Sequence, residues 1–408
     1  MKPLKLDIGS PAFKAQPIHE VRRLQSYGDA VPINFPFMGK MLATTRAELT
    51  EHVLTRSDLF VSEPKNAGKP GKSIVPGWMP QSVKDLADNM VVKDDPDHKR
   101  LRSLVDKAFA KRSVLDLTPT FDGIAQDLVD RLDVMLSHQG QSDFVSAVAK
   151  QMPIAAMISM LGLPPADLEK FTGWAARFAD LNGLWEFWLI TRAIKQMRDY
   201  VANLVETRRV GDPNGLVASL IEAEEAGDKL TRDELTTTLV VLMSAGFETT
   251  THLINGGLWI LSERPDLRAT LRKHPDKMSA FLHECLRWVS PFVSTKPRLS
   301  AVDQELAGVS IKQGEFVLPL IVCSNYDDRL FDQPDQFDLE RSNANRHLSF
   351  GRGIHNCLGR LIARAQAQAV FEALLARPEP FYQVETPVWA KRPGSRNMKH
   401  LIIREGAR

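Results

Sequence analysis

Residues 350–359 read FGRGIHNCLG, and this stretch decides how the rest of the chain is interpreted. It places one cysteine, Cys357, in a segment that contains three glycines. The residues that follow Cys357, LGRLIARAQAQAVFEALLAR (358–377), have apolar side chains at helical spacing. Three ordinary interpretations compete for the cysteine: an inert core residue, one half of a disulfide, or part of a phosphate-binding glycine loop.

The cysteine count and the loop pattern weaken two of these interpretations. The 408 residues contain 3 cysteines, Cys285, Cys323 and Cys357, which are too few for a disulfide framework and fit a reducing compartment. A dinucleotide-binding loop reads G-x-G-x-x-G, but Asn356 stands where its third glycine would be, and no clear strand precedes the loop. An inert core cysteine stays the serious competitor, because a lone cysteine usually behaves as a small hydrophobe.

Composition excludes several classes of protein. The 52 Lys and Arg residues nearly balance the 50 Asp and Glu residues, so the charge gives no basis for general nucleic-acid binding. The polar N-terminus does not resemble a signal peptide, and no stretch is long and apolar enough to span a membrane. We therefore expect a cytoplasmic protein that binds neither nucleic acid nor membrane.

The chain reads as one mostly helical domain. No internal repeat or low-complexity linker divides it, so we predict a single domain over residues 1–408. Apolar residues recur at helical spacing from Asp97 to about Arg208. The longest predicted helix runs from Thr231 to Glu263, opens with the capping box TRDE and ends before Pro265.

Strand-like and loop-like segments are short. Ala30 to Arg46 has two apolar runs around Gly39, which predicts a hairpin. Short β segments are also predicted after Pro297. Residues Ser62 to Trp78 are rich in Gly, Pro and Lys, which predicts a long exposed loop.

The surroundings of Cys357 favour a site over a core position. Glycines allow the backbone to approach a flat partner closely. The start of the predicted helix would favour a thiolate over a thiol. Because no Cys or His cluster has zinc spacing, a cofactor that brings its own remaining ligands is the better match, and haem iron with one axial thiolate fits.

FGRGIHNCLG resembles the haem-binding loop of the cytochrome P450 family, F-x-x-G-x-x-x-C-x-G. Further stretches, in family order, extend the resemblance over nearly the whole chain. It implies a mainly α fold with a minor β component, a long central helix over the haem, and small β-sheets near the N-terminus and after the E-x-x-R helix. It also implies haem b with Cys357 as the axial metal ligand, contacted by Phe350, Gly351 and Gly359.

AGFETT, residues 245–250, resembles the family's oxygen-activation motif A-G-x-[D/E]-T-T. Small side chains at Ala245 and Gly246 leave room beside the helix, and Thr249 lies one turn from Ala245 on the same face. Cleavage of dioxygen consumes two protons, which a hydroxyl fed by an adjacent acid can deliver. We therefore predict Glu248 and Thr249 as catalytic residues and Ala245 as a cofactor contact. The ordinary alternative is a helix whose glycine allows close packing.

HECLR, residues 283–287, contains Glu284 and Arg287 at the positions of the family's E-x-x-R. At i,i+3 the two charges can pair, usually at the surface, but the apolar neighbours favour burial and a third partner. In the family that partner is an arginine of the irregular meander, which FDQPDQFDLER (331–341) resembles, so Arg341 is the candidate. The implied role is structural. Cys285 and Cys323 are interpreted as packing residues.

Haem propionates need cationic partners, and four residues match the family's positions for them. His98 and Arg102 match H-x-x-x-R on one helix face, and Arg298 and His355 match the remaining two positions. An exposed basic helix is the ordinary interpretation of the first pair.

The resemblance implies a haem-thiolate monooxygenase of secondary metabolism that inserts one oxygen atom of O2 into a bulky apolar small molecule, by hydroxylation or epoxidation. No flavin or iron–sulfur signature occurs, so two electrons would come from a ferredoxin and its reductase. Arg352, Arg360 and Arg364 would attract an acidic partner, unless they are ordinary solvated charges. We expect a monomer.

A peroxygenase that uses H2O2, or a catalytically silent haem-thiolate binding module, is disfavoured by the Glu248–Thr249 pair.

The family builds its substrate pocket from segments that correspond to 75–90, 171–188, 241–249 and 293–295. The predicted lining residues are Val241, Ser244, Val293, Ser294 and Thr295. The second segment, FTGWAARFADLNGLWEFW, is rich in aromatic residues. It suits a ring-bearing substrate, and equally a pair of helices that pack as a lid.

Overall fold

The computed structural model describes most of the chain in two compact units. Unit 1 comprises Met1–Ile74, Lys273–Cys357 and Val388–Lys399, and unit 2 comprises Val75–Arg272, Leu358–Pro387 and His400–Arg408. The prediction of a single domain over residues 1–408 stays a prediction. The described residues are 3–35, 39–69, 79–80, 84, 89–110, 114–179, 184–207, 212, 215–225, 231–390 and 394–406.

Helices dominate the described part of the chain, and the strands are short. The α-helices are α1 (Pro11–Ala15), α2 (Ile18–Gln25), α3 (Ala47–Thr55), α4 (Asp97–Ala110), α5 (Val114–Gln139), α6 (Gln151–Leu161), α7 (Leu168–Ala179), α8 (Leu184–Thr207), α9 (Leu216–Glu225), α10 (Arg232–Glu263), α11 (Pro265–Lys273), α12 (Met278–Val289), α13 (Ile321–Asn325) and α14 (Arg360–Leu375). The strands are β1 (Leu4–Lys5), β2 (Ala30–Phe35), β3 (Gly39–Thr44), β4 (Phe60–Val61), β5 (Gln141–Asp143), β6 (Arg298–Ser300), β7 (Gln304–Leu306), β8 (Val309–Ile311), β9 (Phe316–Pro319), β10 (Gln383–Val384), β11 (Val388–Trp389), β12 (Met398–His400) and β13 (Ile402–Arg404). The predicted mainly α fold with a minor β component is confirmed.

Unit 1 is built on a six-stranded mixed sheet with the order β1-β2-β3-β9-β6-β4. Its centre is the predicted hairpin, in which β2 and β3 pair antiparallel from Ala30↔Thr44 to Phe35↔Gly39. Strand β9 lies parallel to β3, and β6 lies antiparallel to β9. The N-terminal strands and the strands after α12 therefore form one sheet. A buried apolar cluster packs this sheet against α2 through residues such as Val21.

The segment predicted as an exposed loop starts inside unit 1. Ser62 is 3% exposed and follows β4, which pairs antiparallel with β6. A 3₁₀ turn over Pro64–Ala67 comes next, and Ala67 is buried as well. The exposed-loop prediction is therefore wrong for Ser62 and Ala67, because pairing with β6 carries the chain into the core, while Lys65, Asn66 and Gly68 are exposed as predicted. Residues 70–78 of the predicted loop lie outside the described residues.

Unit 2 is organised around α10, the predicted long helix. The Thr231 hydroxyl accepts a hydrogen bond from the Glu234 amide at 3.2 Å, and the Glu234 carboxylate accepts one from the Thr231 amide at 3.0 Å. The predicted capping box is confirmed. Arg100 on α4 donates to the same carboxylate and lowers the pKa of Glu234. With 32 residues, α10 is about 48 Å long.

Close packing of α10 on α14 depends on one glycine. A Cβ atom at Gly257 would lie 2.1 Å from the Phe371 ring, so no larger residue fits without displacing that ring. A small antiparallel sheet, β10-β13-β5, completes unit 2. Among the described residues, no helix combines the length and apolarity needed to cross a membrane.

Candidate active site

The cysteine loop of unit 1 is a tight, hydrogen-bonded turn. The Cys357 amide donates to the Phe350 carbonyl at 2.8 Å, and Gly351 adopts a positive φ of 66°. Gly353, with φ of 70°, is required twice over, because a Cβ there would lie 2.1 Å from the Leu54 carbonyl oxygen. Helix α14 begins at Arg360 after Gly359 as its N-cap, so Cys357 lies three positions before the helix in the sequence. The loop geometry itself presents the cysteine.

The three cysteines differ in accessibility. Cys285 and Cys323 are fully buried, and burial raises the pKa of both thiols, so they are poor ligands and nucleophiles. Their interpretation as packing residues agrees with these positions. Cys357 is half-buried and not in a disulfide. It is therefore the cysteine of this chain whose sulfur can reach a bound group.

Two of the residues predicted to bind propionates, Arg298 and His355, meet in unit 1 at a third residue. Arg298 is buried at 4% exposure, and its guanidinium Nη1 donates to the Ser62 hydroxyl. The same oxygen lies 3.5 Å from Nε2 of His355. Ser62 was not among the predicted site residues. It is 236 positions from Arg298, so no local pattern in the sequence signals their contact.

The E-x-x-R pair is fully buried in unit 1. Arg287 donates to both oxygens of Glu284, at 2.8 and 2.6 Å. Its remaining N–H groups donate to the carbonyls of Asn325, Pro334 and Gln336 at 2.7–3.0 Å. All five donors of the guanidinium are thus used. Both side chains have 0% exposure, so this contact is the opposite of a solvated surface pair.

The meander closes on the same carboxylate. Arg341 donates from Nε to Glu284 at 3.1 Å, and the Asp338 amide donates to the same oxygen at 3.1 Å. The rest of the Arg341 guanidinium donates to the carbonyls of Asp332 and Gln336. The structure thus brings together Glu284, Arg287 and Arg341. Both arginines donate to backbone carbonyls of the irregular segment, and both contact Glu284 on α12, so together they connect this segment to α12.

In unit 2, the middle of α10 carries the oxygen-activation motif on an uncovered face. Ala245 and Gly246 are exposed, although Met243 and Phe247 beside them are buried. A Cβ at Gly246 would meet Met157 at 3.8 Å, an ordinary contact, so close helix packing does not explain this glycine. Thr249 lies one turn after Ala245 and is partly exposed.

Three consecutive threonines follow Glu248, and only the first keeps its hydroxyl available. Thr250 donates to the Gly246 carbonyl at 3.4 Å, and Thr251 donates to the carbonyls of Phe247 and Ala149 at 2.7 and 3.1 Å. The Thr249 hydroxyl has no hydrogen bond to any other described residue. Of the three, it is the hydroxyl that can bind an incoming group.

Glu248 has a buried neighbour that sequence reasoning missed. Nε2 of His252 lies 3.7 Å from Oε1 of Glu248, one turn along α10. His252 is 5% exposed, and neither ring nitrogen has a hydrogen-bond partner among the described atoms. Asn255 is fully buried and its amide is likewise unpartnered within the described structure. The i,i+4 spacing of Glu248 and His252 was the available sequence signal.

The other predicted propionate ligands lie on α4 of unit 2. His98 is buried, with Nδ1 3.4 Å from the Asp95 carboxylate. Arg102, one turn later, has Nε 3.3 Å from the carboxylate of Asp106. The interpretation as an exposed basic helix therefore does not hold for His98. Arg102, in contrast, forms an ion pair with an acidic residue of its own helix.

The predicted pocket residues differ in exposure. Val293 is fully buried in the core of unit 1, while Ser294 and Thr295 are partly exposed. Val241 is 9% exposed, and the Ser244 hydroxyl donates to its carbonyl at 3.1 Å. Of the four pocket segments, 75–90 lies largely outside the described residues.

Two aromatic residues of the predicted lid segment are core residues of unit 2. Phe171 and Trp174 pack edge-on with ring centroids 5.0 Å apart, and each lies 5.6 Å from the ring of Tyr200. The Tyr200 hydroxyl donates to Asp167 at 2.8 Å. For these two residues, helix packing is the interpretation that the contacts favour.

Each arginine of the predicted basic surface has its own surroundings. Arg352 lies 3.5 Å from the Glu51 carboxylate, which offsets its charge. Arg360 is exposed at the start of α14. Arg364 is half-buried, and burial lowers its pKa. Arg360 is thus the most solvated of the three.

Comparisons with known proteins decide the family. A family model described as Cytochrome P450 matches residues 180–396. The polyketide biosynthesis cytochrome P450 PksS of Bacillus subtilis (strain 168) is 33% identical to this chain over an alignment that covers 79% of each protein. The mycinamicin IV hydroxylase/epoxidase of Micromonospora griseorubida is 35% identical over 74% of each chain. The chain belongs to the cytochrome P450 family.

The solved structures agree. The structure of PksS from the bacillaene polyketide synthase of B. subtilis 168 superposes on this P450 with a TM-score of 0.86 and 28% identity, covering 98% of this chain and 100% of the other. Relatives of this chain are named as hydroxylases and monooxygenases, so this chain is a P450 monooxygenase.

The donor set of this P450 fits a haem-thiolate cofactor. Unit 1 offers one accessible thiol at Cys357, next in sequence to the loop that holds His355, and a buried cationic donor at Arg298. A thiolate suits the iron, and the nitrogen donors suit propionate. Within the described residues no group of three or more His, Cys, Asp or Glu forms an alternative metal site.

Proposed function

We propose that this P450 binds haem b through the Cys357 thiolate and oxidises a bulky apolar small molecule of secondary metabolism, by hydroxylation or epoxidation. The observation that carries the proposal is the contrast among the cysteines, because Cys357 alone is both accessible and held in a tight glycine loop. The names of the relatives, one in polyketide biosynthesis and one a hydroxylase/epoxidase, support the substrate class.

The residues that would hold the cofactor follow from their chemistry. Arg298 and His355 would bind one propionate, and His98 and Arg102 the other, because these side chains are the nitrogen donors at family positions. The backbone of the cysteine loop and the small side chain on α10 would contact the ring, through Phe350, Gly351, Gly359 and Ala245. When bound, thiolate-ligated haem supplies dioxygen activation and oxygen insertion.

The protein's own contribution to the reaction would be proton delivery. Thr249 would hold a water or the reacting oxygen by its hydroxyl, which makes no other hydrogen bond to the described residues. Glu248, the preceding residue, has a partly exposed carboxylate and would resupply the proton from solvent. The presence of both groups supports a monooxygenase over a peroxygenase or a silent binding module.

Partners and substrate contacts complete the proposal. A ferredoxin with its reductase would supply the two electrons, and the exposed Arg360 would attract its acidic surface. Substrate would contact Ser294 and Thr295, which are partly exposed, and the side of α10 that carries Val241 and Ser244. Val293 would act from the core, as support for its two neighbours.

The test is the spectrum of the dithionite-reduced protein under carbon monoxide. We expect a Soret band shifted far to the red in the wild type, its loss in Cys357→Ala, and its retention in the matched control Cys323→Ala. A Cys357→Ala protein that keeps the shifted band would contradict the assignment.

The proton-delivery role needs a separate test with matched threonine variants. In Thr249→Ala, with a substrate identified by its shift of the Soret band, we expect more peroxide released per electron consumed. Thr250→Ala should behave as wild type, because its hydroxyl serves the helix. Equal peroxide release from both variants would contradict the role of Thr249.

A further inference from the structure

Ser62 lies at the junction of the two donors of unit 1. Strand β4 pairs with β6 through Phe60↔Ser300 and Val61↔Leu299, so the next residue, Ser62, is level with Arg298 at the start of β6. Arg298 donates to its hydroxyl from Nη1, and His355 lies 3.5 Å away on the other side. The contact to His355 is at the outer limit of hydrogen-bond length.

The chemistry of a hydroxyl suits this position. It has two acceptor lone pairs and one donor, while a guanidinium is always charged and only donates. The oxygen of Ser62 therefore accepts from Arg298 and, as a hydroxyl, can also form a hydrogen bond with the imidazole of His355. One atom can fix the direction of both side chains, although they come from different parts of the sequence.

The position of His355 is constrained from a second side. His355 ends the 3₁₀ turn Gly353–His355, and this turn sits against α3, where Gly353 approaches the Leu54 carbonyl too closely for any side chain. Gly353 thus leaves no space between the turn and α3, and Ser62 contacts His355 from the side of β6. The imidazole and the guanidinium are thus held as a pair.

We propose that Ser62 is a positioning residue that sets the spacing of Arg298 and His355, so that the two bind one carboxylate of the cofactor together. This rests on the proposed function, since that carboxylate is a haem propionate. Positioning groups behind a ligand typically change affinity by on the order of tenfold.

The experiment measures the rate at which haem passes from the purified holoenzyme to excess apomyoglobin. Ser62→Ala should lose haem about tenfold faster than wild type, whereas Ser62→Thr, which keeps the hydroxyl, should remain near wild type. Ser300→Ala is the matched control: Ser300 is buried on the same sheet, and its hydroxyl donates to the Val302 carbonyl. If Ser62→Ala does not fold, Ser62→Cys replaces it, because sulfur is a weak acceptor.

A structural role and a positioning role are separated by a double variant. If Ser62 acts through Arg298, then Ser62→Ala should accelerate haem loss no further in an Arg298→Ala background. Equal rates for Ser62→Ala and Ser300→Ala, or additive effects in the double variant, would overturn the inference alone. A wild-type protein without the red-shifted carbon monoxide band would overturn the proposed function, and the inference with it.

Discussion

Two ion pairs of nearly the same length, each within a single helix, differ widely in burial. Glu284 and Arg287 on α12 are 2.6 Å apart with 0% exposure of both side chains. Lys195 and Asp199 on α8 are 2.7 Å apart, with side-chain exposures of 68% and 63%. Distance and spacing are nearly equal, so the difference between them lies in what surrounds the charges.

The polar atoms of both side chains in the buried pair have hydrogen-bond partners. Arg287 donates to three backbone carbonyls besides Glu284, and Glu284 accepts from Arg341 and the Asp338 amide. Removing either side chain leaves its charged partner unpaired in the protein interior, which solvates charge poorly. The exposed pair can exchange its partner for water at almost no cost. Burial therefore turns a weak contact into a structural requirement.

The largest effect is expected for Arg287→Met, which leaves the Glu284 carboxylate buried without its main partner. We expect a loss of about 3–5 kcal/mol in the free energy of unfolding. Thermal and denaturant unfolding at equal haem content measures it, with Lys195→Met as the matched control. An unfolding free energy within about 1 kcal/mol of the wild-type value would contradict the role assigned to burial.

Arg341→Ala should have the next largest effect. It removes one charge-assisted hydrogen bond to Glu284 and the bonds to the carbonyls of Asp332 and Gln336, but leaves the Arg287 pair in place, so we expect a loss of about 1.5–3 kcal/mol. The control is Arg329→Ala, which removes an ion pair to Asp29 whose arginine is 60% exposed. Equal losses in the two variants would mean that burial does not separate them.

The ion pair of Glu379 with Arg268 is intermediate in burial between these two pairs. Its contribution to the free energy of unfolding should depend on pH. Arg268, with further help from Arg272, lowers the pKa of Glu379 to about 2. The carboxylate therefore adds stability above its unfolded pKa of about 4.3, and this is lost as pH falls towards 2. Because the Glu379 side chain is 48% exposed, solvent screening limits the contribution to about 1 kcal/mol.

The test follows unfolding free energy against pH for wild type and Glu379→Gln. The stability gap should be widest near neutral pH and close between about pH 4 and pH 2. A gap that stays constant over this range would show that the carboxylate charge is not its source.

The smallest effect is expected for Lys195→Ala. Its pair with Asp199 is exposed at both ends, so the loss should be below about 0.5 kcal/mol and should shrink further in 0.5 M salt. Melting temperatures at low and high salt measure this. A loss as large as that of Arg341→Ala would remove the distinction on which the comparison depends.

Local patterns predicted much of this P450 from the sequence. The capping box of α10 and the hairpin of β2 and β3 follow from residues close in sequence. The contact of Arg341 with Glu284 joins residues 57 positions apart, and it was predicted from the resemblance to the family. The apolar neighbours of Glu284 and Arg287 indicated burial, which spacing alone could not. The capping box and the hairpin need only the periodicity of helices and strands and the chemistry of caps.

Other features were decided only by tertiary structure. Ser62 reads as the start of a polar loop, yet strand pairing buries it against Arg298. Val293 lies in a predicted pocket segment, yet its side chain belongs to the core. The close approach of Gly353 to Leu54 joins segments almost 300 positions apart. The family motifs and the local elements could be predicted from the sequence, because these depend on neighbouring residues. Which polar groups share a buried hydrogen bond depends on how distant segments pack, and no local pattern encodes that.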